Sequence, residues 1–159
     1  MTSQASIAPP WTALGFALAP NLVGSIPPAL VFTLDPNAVS RIGLSALQIP
    51  AWVFIAVWVL NYLGIGLAAW LLWQRRTQTD IAVPIGVLAA SYLVTLSFWT
   101  TNSLRMTATL DAINLLLAWT MVWVCSRYSR TAALWLMPWA IWMPITFAIK
   151  LLALGSGLS

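Results

Sequence analysis

The chain contains no histidine and no glutamate, and its only acids are Asp35, Asp80 and Asp111. Histidine-based acid–base chemistry, His-ligated haem and ordinary zinc sites are therefore excluded within it, and no metal site is assigned. Cys125 is the sole cysteine, so no disulfide can form inside the chain. Charged residues make up 6% of the sequence, against roughly 25% in a soluble domain. The seven Lys/Arg residues are scattered over segment ends and loops, with no basic run longer than two. That pattern excludes a nucleic-acid patch and reads instead as a membrane-topology signal. The opening MTSQASIAPPW carries no positive charge before its first apolar run, so no cleaved signal peptide is expected.

What is present is hydrophobic. Of 159 residues, 61% are apolar, and the mean hydropathy is +0.89. These values imply an integral membrane protein with one membrane domain over residues 1–159, and the bilayer as its first partner. The clearest span is Pro50–Trp73, PAWVFIAVWVLNYLGIGLAAWLLW, 24 residues with no formal charge that end at Gln74-Arg75-Arg76. About 20 such residues suffice to cross the hydrocarbon core as a helix. Comparable apolar segments occupy 11–34, 81–101, 106–125 and 131–152. Barrel strands would be half as long and would alternate. The predicted fold class is an all-α, five-transmembrane-helix bundle. Short turns near 102–105 and 126–130 make the last three helices antiparallel neighbours. The longest connection, 35–49, carries Asp35 and Arg41 and reads as a short amphipathic piece at the interface. Pro20, Pro27 and Pro28 interrupt the first segment, where the freed carbonyls need partners from neighbouring helices or water.

Five spans put the termini on opposite sides. Arg75, Arg76, Arg127 and Arg130 share the N-terminal side, against Arg41, Arg105 and Lys150 on the other. The positive-inside rule then favours a cytoplasmic N-terminus, in a bacterial inner or thylakoid-type membrane. Asp111 and Lys150 fall inside spans, where ionisable groups are costly and pair or line a cavity. Asp111 has two candidate partners, Lys150 and Arg105. Alternatively, Lys150 snorkels to the headgroups while Asp111 reaches interfacial water. Asn61 and Asn114 are candidates for interhelical hydrogen bonds.

Eleven tryptophans are present. Trp11, Trp52, Trp73, Trp99 and Trp135 lie near span ends and fit an aromatic belt. Trp58, Trp70, Trp119, Trp139 and Trp142 lie deeper. Large flat indole faces at mid-depth suit either core packing or the cradling of a planar ligand.

The densest signal is Pro50, Trp52, Val53, Phe54, Trp58, Tyr62, Gly66, Ala69, Trp70, Leu71 and Trp73, followed by Pro138-Trp139-Ala140-Ile141-Trp142. In this register and layout the chain resembles the TspO/MBR family, the tryptophan-rich sensory or translocator proteins. The resemblance covers most of the chain from about residue 12. It departs from the family pattern where Leu96, Tyr92 and Lys150 stand at positions the family fills with Asn, Gln and Asn. The resemblance implies a five-helix bundle, commonly a homodimer, with a ligand pocket that opens toward the first loop. It implies no required cofactor, and a porphyrin or other tetrapyrrole as the ligand. Carried over residue by residue, Trp52 and Trp142 are the first candidates to contact that ligand, with Phe54, Trp58, Trp139 and Trp99 next. The roles it suggests are tetrapyrrole handling, transport and stress signalling. A propionate would meet Lys150 or Arg41.

Two further readings differ in class. The first is a non-catalytic transmembrane subunit of a larger bioenergetic or photosynthetic complex, which keeps the fold without the ligand. The second is an enzyme acting on a bound porphyrin. No acid–base pair or nucleophile constellation supports the enzyme, no catalytic residue is assigned, and the idea rests on the resemblance alone.

Overall fold

The computed structural model describes residues 10–34, 51–75, 78–99 and 103–156. It is all-helical: α1 Pro10–Leu34, α2 Ala51–Gln74, α3 Gln78–Trp99, α4 Leu104–Tyr128 and α5 Arg130–Gly155. Three of these helices, over 52–74, 104–128 and 130–155, are long and apolar enough to cross a membrane. The apolar stretches described in the other two are shorter, 11–26 and 85–95. The connection 35–49, with Asp35 and Arg41, lies outside the described residues.

The helices form a ring in the order α1, α2, α5, α4, α3. Packing is most extensive between α4 and α5, and the ring closes most sparsely between α1 and α3. Small buried residues let the heavy joints approach closely: Ala118 of α4 and Ala132 and Ala140 of α5 are fully buried. Tyr62, Leu72, Met121, Leu136, Trp139 and Met143 fill the interior behind them.

Two glycines set the helix crossings of α2. At Gly64 a side chain would strike the Trp135 carbonyl of α5, and at Gly66 it would strike the Phe16 carbonyl of α1. The second contact follows from sequence. Pro20 has no N–H, so the Phe16 carbonyl four residues earlier has no intrahelical partner. A bare glycine backbone lies against that carbonyl, where Cα–H···O contacts recur between packed helices.

The expected turn over 126–130 shrinks to one residue. Ser129 N–H bonds to the Cys125 carbonyl (2.7 Å), closing α4, and its hydroxyl accepts from Ala132 N–H (3.2 Å), capping α5. Polar Ser126 and Arg127 are thus helical. Ser126 Oγ donates to the Trp123 carbonyl (2.7 Å), and the Arg127 guanidinium lies 3.9 Å from the Trp123 ring centroid. At the other junction α4 begins at Leu104 with Ser103 as its cap, so Arg105 belongs to the first helical turn. Arg75 at the end of α2 donates to the Tyr128 carbonyl at the end of α4 (2.6 Å), which puts both C-termini at one end of the bundle. Ser129→Ala should lower stability by about 1 kcal/mol, the usual worth of an N-cap hydroxyl. Thermal unfolding in detergent would measure this, and an unchanged midpoint would assign the cap no energetic weight.

Candidate functional site

The aromatic residues of α2 fall at 54, 58 and 62, spacings of four that stack them along one helical stripe. They form a continuous chain of rings. Trp142 of α5 meets Phe54 at 6.3 Å between centroids, Phe54 meets Trp58 at 6.2 Å, and Trp58 meets Tyr62 at 5.5 Å. Tyr62 then meets Tyr92 of α3 at 5.7 Å, near edge-to-face. Tyr92 Oη donates to the Pro20 carbonyl of α1 (2.5 Å). Five rings and one hydrogen bond therefore tie four helices together. Gly24 of α1 rests against the Tyr62 ring, where no side chain would fit.

Of the six residues proposed for ligand contact, Phe54, Trp58 and Trp142 come together in this chain. Trp139 is wholly buried one turn away on α5, behind the ring chain. Trp52 is 71% exposed at the start of α2 and makes no part of the chain. The side chain of Trp99 lies outside the described residues, as does that of Leu96. The indole N–H groups of Trp139 and Trp142 are buried with no hydrogen-bond partner among the described residues.

A polar seam runs beside the rings. Lys150 Nζ lies 2.7 Å from Asp111 Oδ2, and both side chains are almost fully buried. The contact is an ion pair by distance. Arg105, the other candidate partner, is exposed. Thr146 lies one turn below Lys150, against the same carboxylate, and donates to the Met143 carbonyl (3.0 Å). Asn114 of α4 donates to Thr95 of α3 (3.3 Å), so one of the two expected asparagines bridges helices. Asn61 is fully buried, and neither end of its amide has a partner among the described residues.

A cavity of about 780 Å³ lies elsewhere, at the sparse joint between α1 and α3 over α2, lined by Trp11, Phe16, Val23, Ile65, Tyr92 and Leu93 among others. Its size suits a small ligand, but binding sites also hold a few polar groups that fix orientation. Here the Tyr92 hydroxyl is already committed to Pro20, and Leu93 and Trp11 at the lip are strongly exposed. The lining also includes Thr12 and is otherwise largely apolar, so the space is an open apolar furrow. The end of the bundle that joins the rings to the ion pair has the richer chemistry. Among the described residues no group of three metal-ligating side chains comes together.

The sequence description of TspO/MBR proteins matches residues 8–153 of the 159. The chain belongs to the TspO/MBR family. With its apolar helices this makes it an integral membrane protein. Nothing matches it among curated proteins or among solved structures. In this TspO/MBR protein the structural role of Tyr92 is plain: it is the ring that carries the aromatic chain from α2 to α1. Tyr92 was absent from the residues proposed for ligand contact. Its signal in the sequence was weak, because Tyr92 has no aromatic neighbour three or four residues away and only Trp99 follows at seven.

Proposed function

We propose that this TspO/MBR protein binds a flat hydrophobic ligand, a tetrapyrrole such as a porphyrin, in an intra-bundle pocket at the Phe54–Trp58–Trp142 end. The observation that carries the reading is the meeting of Phe54 and Trp142 across α2 and α5, two turns of α5 below a buried ammonium. Planar aromatic faces bind planar rings by offset stacking and apolar burial. The resemblance implies a pocket that opens toward the first loop, and Phe54 lies in the first turn of α2, the helix which that loop precedes in the sequence. All five helices cross the membrane in the same reading. Arg75, Arg127 and Arg130 gather at one end, and Lys150 at the other is held inside by Asp111. That distribution supports a cytoplasmic N-terminus. Tetrapyrrole handling or signalling without catalysis fits a site that offers surfaces and one ion pair.

The test is a titration of purified protein with protoporphyrin IX, read by tryptophan fluorescence. Saturable quenching is expected. Trp142→Ala should weaken binding about tenfold, the order of one aromatic pair beyond its area burial. Gly15→Leu, which fills the furrow at a position with open space, should leave binding unchanged. The reverse pattern, with Gly15→Leu abolishing binding and Trp142→Ala silent, would move the site to the furrow. Quenching that never saturates would indicate partitioning into detergent and sink the reading.

A further inference from the structure

On α5 the residues 142, 146 and 150 follow one another at intervals of four, so an indole, a hydroxyl and an ammonium share one buried stripe. Eight residues of helix separate Trp142 from Lys150, about 12 Å along the axis. The stripe thus runs from an aromatic surface, Trp142 against Phe54, to a positive charge. A ligand matching both ends has a flat apolar body and an acidic group at its edge. In the structure that charge is already occupied, because Asp111 Oδ2 sits 2.7 Å from Lys150 Nζ.

We propose that the Asp111–Lys150 pair is a carboxylate-exchange site. Asp111 acts as a built-in counter-ion that holds Lys150 until the carboxylate of a flat amphipathic acid takes its place. This rests on the binding reading above and narrows it to ligands with a free acid. Two features of the pair support it. A buried pair is costly, and such pairs inside membrane spans mark functional positions. Thr146 lies against the carboxylate from the same stripe and remains beside Asp111 when Lys150 turns to the ligand. The step is an exchange of ion-pair partners, with no bond made or broken.

The consequence is that Asp111 competes with the ligand. Protoporphyrin IX and its dimethyl ester have the same ring, and only the first carries carboxylates. The wild-type protein should bind the acid more tightly than the ester. Asp111→Asn, which removes the competitor, should tighten the acid severalfold and leave the ester unchanged. The neutral pair Asp111→Asn/Lys150→Gln leaves no buried charge to disturb folding. It should lose the preference for the acid, about tenfold, the order of one charge-assisted hydrogen bond, while still binding the ester. Equal binding of acid and ester by the wild type, or a preference that survives in the neutral pair, would overturn the exchange site and leave the aromatic site standing. Failure of every variant and the wild type to bind either compound saturably would overturn both readings. Palmitate displacing the porphyrin acid at equal concentration would overturn the flat-ring requirement, because a fatty acid offers the carboxylate without the ring.

Discussion

Lys150→Met, with Asp111 left in place, is expected to be the most damaging single replacement in the bundle, costing about 3–5 kcal/mol. The reason is solvation. Asp111 and Lys150 are almost fully buried and lie 2.7 Å apart. With Lys150 gone the carboxylate loses its cation and keeps Thr146 beside it. It must then stay ionised in an apolar interior or take up a proton. Replacing both members, Asp111→Leu with Lys150→Met, should recover most of the loss, because an apolar pair of similar volume is often neutral or better. Thermal unfolding in detergent separates the cases: a low midpoint for the single variant and a near-normal one for the double. A single variant that melts with the wild type would mean that water reaches the carboxylate.

The second large effect is steric. Gly66→Leu should reduce stability by about 3 kcal/mol, the upper end for overpacking, and Gly64→Leu by a similar amount. At both positions the first carbon of a side chain would meet a backbone carbonyl, Phe16 for Gly66 and Trp135 for Gly64. A carbonyl fixed in a helix cannot swing aside as a side chain can, so the whole of α1 or α5 must move. Gly15→Leu has open space and serves as the control. Folded yield by size-exclusion chromatography reports the difference. Gly66→Leu eluting as a stable, wild-type-sized particle would show that α1 shifts at little cost.

The parts of the fold legible in the sequence were those set by local pattern. The uncharged run from Pro50 to Trp73 had to be a helix, because a backbone in lipid must satisfy its own polar groups. Trp58 and Tyr62 share one helical face by their spacing of four, and in the structure Phe54 rather than Trp52 extends that stripe. The choice of partner for Asp111 was also within reach. Arg105 is six residues away on the same helix, about 120° around it, so the two side chains diverge, whereas Lys150 comes from the adjoining helix. The turn at 126–130 was drawn too wide, because Ser126 and Arg127 looked like loop residues. At a membrane surface, polar side chains sit as readily on the last turn of a helix. The role of Tyr92 was hidden for a different reason. It depends on α3 lying beside α1, and no periodicity within either segment states that they touch.

Cys125 is fully buried in the core, close to the joint where α4 turns into α5. Toward thiol reagents the folded protein therefore behaves as though it had no cysteine at all. A single cysteine placed on any exposed position becomes the one reactive handle on the molecule. The native thiol serves as an internal reporter of unfolding, because it gains reactivity only when the α4–α5 hairpin comes apart.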